Sequence, residues 1–221
     1  MISSRSSDCK LVSITPNAED QIVYFARVSN PEGQVNNETA PKLIRYLIKH
    51  HHWSPFQLAN MTVEINTTRA ISAQICRHRS FTFQEFSQRY ADVGLLGSAV
   101  VPHLRAQDHK NRQNSTDDLG VKLGSEQLSL FYRRISSLFE ESEHLYSEMI
   151  SAGVAKECAR SILPLASKTR MYMHGSVRDW IHYLQVRAGV ETQLEHRKIA
   201  LAILEIFKEQ LPNTFEAAFG T

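Results

Sequence analysis

Apolar and polar positions change their rhythm several times along this chain, and each change marks an element. Residues 9–15, "CKLVSIT", are short, rich in β-branched side chains and read as a strand. Pro16-Asn17 then opens a helix over 18–29, "AEDQIVYFARVS", with apolar residues near helical spacing. "NPEGQVNN" (30–37) is a turn-rich loop and "ETAPKLIRYLIKHH" (38–51) a second amphipathic helix. "MTVEINTT" (61–68) alternates as a strand with one buried face, after which "RAISAQICRHRS" (69–80) returns to helical spacing. The clearest helix is 126–153, stopped at Gly153. A shorter helix over 154–164 ends at Pro164, "KTRMYMHGS" (168–176) is strand-like, and 177–189 and 192–212 are both helical. Residues 91–124 keep no rhythm and read as a long loop or excursion. Few strands scattered among many helices predict the α+β class: a small, mainly antiparallel sheet packed with several helices, as a single domain over 1–221.

Composition narrows the partners. A chain of 221 residues is long enough for one sizeable core. Its net charge of only +2 gives no general attraction to nucleic acid, so any anion site must be local. No stretch approaches membrane-spanning length, and the start, "MISSRSSDCKLVSITP", lacks the apolar run of a signal peptide. The three cysteines, Cys9, Cys76 and Cys158, form neither a disulfide framework nor a metal motif. These features predict a soluble protein of the cytoplasm, a host's cytoplasm if a virus encodes it, with no membrane partner.

Against that near-neutral background, "RHRSFTFQEFSQRY" (77–90) concentrates three arginines and a histidine beside the lone carboxylate Glu85. If the preceding helix continues, Gln74 and Arg77 share a face at i and i+3. An extended run would send Phe81, Phe83 and Glu85 one way and Thr82, Gln84 and Phe86 the other, with a bend at Phe86. Arginine forks take phosphate or carboxylate and stay charged, so the stretch suits a nucleotide, with Glu85 for ribose hydroxyls or a ring N–H. Two other readings stand beside this one. The stretch is equally a salt-bridged helix end with its phenylalanines in the core, or the basic-aromatic surface of a non-catalytic RNA or single-strand binder.

Arg77-His78-Arg79, seven intervening residues and Ser87 resemble the R-H-R-x7-S signature of the flavin-dependent thymidylate synthases. The likeness extends through "ARVSN" (26–30), "HHWSPFQ" (51–57), "ECARSILP" (157–164) and "GSVRDWIHYLQVR" (175–187). The chain departs from the family's usual asparagine at Gln84 and Ser176. The resemblance implies an enzyme that makes dTMP from dUMP, with methylenetetrahydrofolate as one-carbon donor, FAD as cofactor and NADPH reducing the flavin. It also implies a homotetramer with active sites at subunit interfaces. Carried over by position, Gln74, Arg77, Glu85, Ser87, Gln88, Arg89, Arg160 and Arg187 contact dUMP, and Arg187 activates the uracil. Ser54, Arg77, His78, Arg79, Glu85, Ser176, Arg178 and His182 contact FAD, with His52 a weaker flavin candidate.

Several other residues invite simpler readings. Consecutive histidines 50–52 point different ways and make a poor metal cluster, so no metal is expected. Cys76 reads as packing rather than as a nucleophile, Ser87 as a ligand contact, and Trp53 and Trp180 as core or flank. "DHKNRQNS" (108–115) reads as a solvated loop.

Overall fold

Cys9–Ile14 (β1) is the first strand. It runs antiparallel to Asn60–Thr68 (β2), from Cys9 opposite Ile65 to Ile14 opposite Met61, with a bulge between Leu11 and Ser13. In this computed structural model the described residues are 8–36 and 38–220. Residues 1–7, and Asn37 at the end of the predicted loop, lie outside them. Met61, Val63 and Ile65 of β2 are buried and their neighbours in sequence are not, the alternation of a strand covered on one face.

Between these strands lie Ala18–Ala26 (α1) and Ala40–Lys49 (α2), whose buried Ala40, Ile44, Leu47 and Ile48 recur at helical spacing. Arg69–Ile75 (α3), Thr82–Glu85 (β3), Ala106–Gln107 (β4), Ser115–Thr116 (β5), Leu119–Leu123 (α4), Ser125–Ser151 (α5) and Lys156–Ala159 (α6) follow. Lys168–Ser176 (β6), Val177–Arg187 (α7), Leu194–Gln210 (α8) and Pro212–Phe219 (α9) complete the order. The larger sheet is ordered β1-β2-β6-β3, and β4 and β5 form an antiparallel hairpin. The architecture is thus α+β, helix-rich around one small antiparallel sheet. Among the described residues no helix is long and apolar enough to cross a membrane.

The chain forms two compact units. The first comprises the residues up to Ile65, Cys76–Gln84 and those from Tyr172 onward. Its core holds Phe56, Met61, Trp180, Tyr183 and Phe207 fully buried. Trp180 Nε1 donates to the Met61 carbonyl at 3.0 Å, tying α7 to β2. Phe81 lies edge-on to Trp180, with ring centres 4.8 Å apart. A Cβ on Gly175 would meet two carbons of the Phe81 ring at 2.6 Å. Gly175→Ala is therefore expected to destabilise the protein by about 1–3 kcal/mol, the usual cost of overpacking a closed core. Urea denaturation checks this, and an unchanged midpoint would show that Phe81 can yield.

The second unit comprises Asn66–Ile75 and Glu85–Met171. Here α5 is the long element. Its Glu143 accepts the Ala99 N–H at 2.5 Å, and its Tyr132 hydroxyl accepts the Leu104 N–H at 3.1 Å. The 91–124 excursion is thereby fastened to the helix and carries structure of its own, β4, β5 and α4. The 108–115 stretch is mostly the tip of that hairpin, where Asp108 accepts the N–H groups of Lys110 and Asn111. Gly153, at φ +86°, lies just past α5 in the left-handed conformation that ends helices.

Other expectations need correction. α1 stops at Ala26 rather than 29, and α3 at Ile75 rather than 80, because the charged run after Ile75 has no apolar face to bury. Arg77 lies beyond the helix, so Gln74 and Arg77 do not share a helical face. The 154–164 helix is α6 followed by a 3-10 turn, Arg160–Ile162. Residue 212 does not end the last helix but starts α9, since proline fits a first turn whose N–H groups need no intrahelical acceptor. Cys76 is exposed just past α3, so it is not a packing residue. The Cys9 thiol is pushed up to about 12 by burial and then by the Asp8 carboxylate, which keeps it a protonated, poor nucleophile.

Candidate active site

The first cluster is built on α7. Ser176 caps that helix: its Oγ accepts the Asp179 N–H at 3.3 Å while Asp179 Oδ2 accepts the Ser176 N–H at 3.0 Å. One face of α7, with Val177, Trp180, Ile181, Tyr183 and Leu184, is buried. The other face exposes Arg178, His182 and Gln185, spaced four and three residues apart. These three line a cavity of about 500 Å³ with Trp53, Gln57, Ser80, Asp179 and Ile181. Ser54 heads the 3-10 turn Ser54–Gln57, which packs against α7. Exposed Arg178 suits an anionic, phosphate-bearing ligand here, whereas the N–H groups that open α7 are engaged within the protein, Val177's by the Ala59 carbonyl at 2.8 Å and Asp179's by Ser176. Ser176 is spent on the cap and is buried, so it steadies the helix rather than offering its hydroxyl.

Arg187, at the far end of α7, donates from Nε to His78 Nε2 at 2.8 Å. His78 is pushed down to about 4, by burial first and then by the charge of Arg187 and His182. It is a neutral imidazole held against a fixed cation. Arg77 and Arg79, on either side of it, are exposed. Behind it lie two residues that motif reading missed, Tyr183 and His196, both fully buried. A buried histidine in a helix at apolar spacing gives no signal that separates it from packing. Trp180 is core, as read, whereas Trp53 is half-buried and lines the cavity.

The second unit holds its own cluster. Ser87, Arg89 and Tyr90 line a recess of about 380 Å³ with Ala155, Lys156 and Glu157. Arg89 pairs with Glu157 at 3.1 Å, both side chains more than half exposed, and Lys156 Nζ donates to the Tyr90 carbonyl at 3.0 Å. An ion pair so exposed contributes little and yields readily to a phosphate. Gln88 is buried, and its Nε2 has no hydrogen-bond partner, a donor left over for a ligand. Glu85 is engaged within the protein: Arg69 lies 2.6 Å away and the Thr169 hydroxyl donates to it at 2.8 Å. β3 ends at Glu85, and its alternation puts Phe83 and Glu85 on the less exposed side, as expected. Gln74 on α3 and Arg160 at the start of its 3-10 turn are half-exposed. Lys156, Glu157 and the Arg69 partner of Glu85 were not legible as site residues. Among the described residues no cluster of His, Cys, Asp and Glu is placed to hold a metal ion.

The helix-rich α+β fold carries arginine-lined recesses with no cysteine among their lining residues, surfaces that suit phosphorylated ligands. The family of thymidylate synthase complementing proteins matches residues 10–213. A probable flavin-dependent thymidylate synthase of Paramecium bursaria Chlorella virus 1 is 47% identical over 216 residues, covering 94% of this chain and 97% of that protein. The flavin-dependent thymidylate synthase of Synechocystis is 48% identical over 199 residues, 90% of this chain and 88% of that one. A UMP/dUMP methylase, PolB from Streptomyces cacaoi, in a structure bound with 5-Br dUMP, superposes with a TM-score of 0.81 at 26% identity, covering 96% of this chain and 95% of that one. The chain belongs to the flavin-dependent thymidylate synthase family. That membership decides for the enzyme over the nucleic-acid binder.

Proposed function

We propose that this protein makes dTMP from dUMP, taking the one-carbon unit from methylenetetrahydrofolate and using FAD reduced by NADPH. The observation that carries the reading is that the signature histidine, His78, meets Arg187, the arginine that closes the last motif, in one hydrogen bond. The fold likeness to a pyrimidine-monophosphate methylase supports the same substrate class.

The flavin, when bound, supplies the hydride; the chain supplies position and charge. Arg178 and His182 fit its phosphates, with Arg77, His78, Arg79 and Ser54 completing the flavin set and Ser176 acting through its cap. Ser87, Arg89 and Arg160 take the dUMP phosphate, helped by Gln88, and Gln74 and Arg77 add further contacts. Glu85 serves both ligands after exchanging an internal partner. Arg187 faces the uracil. With no cysteine adding to the ring, negative charge that builds there needs a fixed cation.

The rest of the proposal is one synthase domain over 1–221, cytoplasmic, working as a homotetramer with active sites at subunit interfaces and binding neither nucleic acid nor membrane. Leu130, Phe131, Leu138 and Leu145 of α5 are exposed, and a partner subunit would cover them. The test is direct: the purified protein should carry a flavin spectrum and form dTMP from dUMP, the methylene folate and NADPH. A flavin-loaded protein that forms no dTMP would overturn the reading.

Arg89→Ala should weaken dUMP binding about ten- to a hundredfold while flavin stays bound, the loss of one good charge-assisted contact. Titrating dUMP against the flavin spectrum measures it. An unchanged dissociation constant would remove Arg89 from the phosphate site.

A further inference from the structure

His196, on α8, is fully buried, and its Nε2 lies 3.0 Å from the Tyr183 hydroxyl. Tyr183 is also fully buried, and its ring meets that of His78 edge-on, with centres 4.9 Å apart and planes at 82°. His78 in turn accepts from Arg187. Neither Tyr183 nor His196 lines the cavity beside Arg178 or belongs to the R-H-R-x7-S signature.

The chemistry of the last contact fixes a proton. A guanidinium has donors only, so His78 Nε2 must be the acceptor and the neutral ring carries its hydrogen on Nδ1. In the other tautomer two N–H groups would face each other at 2.8 Å. Spending Nε on His78 leaves the terminal amino groups of Arg187 uncommitted, and these form the edge that takes a carbonyl or an oxyanion. The arrangement holds only while the His78 ring keeps its rotation, and the wall that sets this rotation is the edge of Tyr183. The Tyr183 hydroxyl lies on the axis of its ring, so its bond to His196 fixes the tilt and reach of the ring that meets His78. The titratable and charged groups around His78 are Arg187, His182 and Tyr183 of α7 and His196 of α8.

We propose that Tyr183 and His196 are positioning residues: together they hold His78 in its Nδ1–H tautomer, and so hold Arg187 with its terminal amino groups available for the reaction. The catalytic half of this statement rests on the function proposed above for Arg187; the tautomer half does not.

Histidine-selective ¹⁵N labelling of the flavin-loaded protein reads the tautomer from long-range nitrogen–proton correlations. The wild type should show His78 as a single Nδ1–H form. Tyr183→Phe keeps the ring and loses the anchor, and His196→Leu removes the hydroxyl's partner. In both, His78 should average between tautomers, and single-turnover flavin oxidation with dUMP and folate should slow about three- to tenfold, the scale of one hydrogen bond. His196→Gln, whose amide can exchange a hydrogen bond with the hydroxyl in either direction, should restore the single tautomer, which a residue that merely fills space would not do. A His78 that stays in one tautomer in both Tyr183→Phe and His196→Leu overturns the proposal. A tautomer lost with no change in the single-turnover rate overturns the catalytic role given to Arg187, and with it the claim that the pair serves the reaction.

Discussion

Arg187→Ala should lose turnover by about 10²–10³, the usual cost of removing one preorganised donor aimed at developing charge. FAD should remain bound, because the cations suited to its phosphates, Arg178 and the exposed Arg77 and Arg79, are untouched. The substitution does two things at once. It removes the cation proposed to face the uracil, and it strips His78 Nε2 of its donor. Arg187→Lys should recover only part of the loss, since an ammonium cannot both reach His78 and present a planar fork. The measurement is single-turnover oxidation of the reduced flavin with dUMP and folate present. A wild-type rate in Arg187→Ala would leave the residue as a cation near a helix C-terminus, favourable by about 0.3–1 kcal/mol and nothing more.

Acid should weaken the fold through His196. Burial first, and then the charges of Arg187 and His78, push this histidine down from 6.5 to about 4. The sign follows from proton uptake. Between those two values the unfolded chain binds a proton that the folded chain refuses, so stability is fully present above pH 6.5 and is lost as pH falls toward 4. Each pH unit in that window is worth about 1.4 kcal/mol, so His196 alone contributes about 3 kcal/mol. His78 is shifted the same way but is partly exposed, and its share is smaller. Urea midpoints measured across the window check this: the wild type should fall steeply and His196→Gln should fall less. Parallel curves would mean that His196 accepts a proton without cost.

What the sequence disclosed and what it withheld follow from the range of each signal. α5 and β2 were legible because their faces repeat every few residues, a pattern read without any partner. α9 was not, because a proline that closes one helix is also a good first residue of the next. The family resemblance pointed to His78 within the signature and to Arg89 and Arg187 beyond it, and each stands where a ligand role is chemically sensible. The internal partners Arg69 and Thr169 of Glu85, and Glu157 beside Arg89, were hidden, because an ion pair between distant residues leaves no local pattern. Ser176 shows the reverse case. The residue that departs from the family's usual asparagine is an equally good N-cap, so the departure changes little in the helix it starts.

The contact between Arg89 and Glu157 makes the carboxylate a resident competitor. Any phosphate monoester arriving at that arginine displaces an acid already in the seat, so its measured affinity is a difference between two occupants rather than the strength of one contact. The displaced carboxylate then stands near the incoming dianion, beside Lys156, whose ammonium lies against the Tyr90 carbonyl. Salt weakens the incumbent as well as the newcomer, so ionic strength moves both sides of the exchange together and alters occupancy less than the bare charges at this recess would suggest.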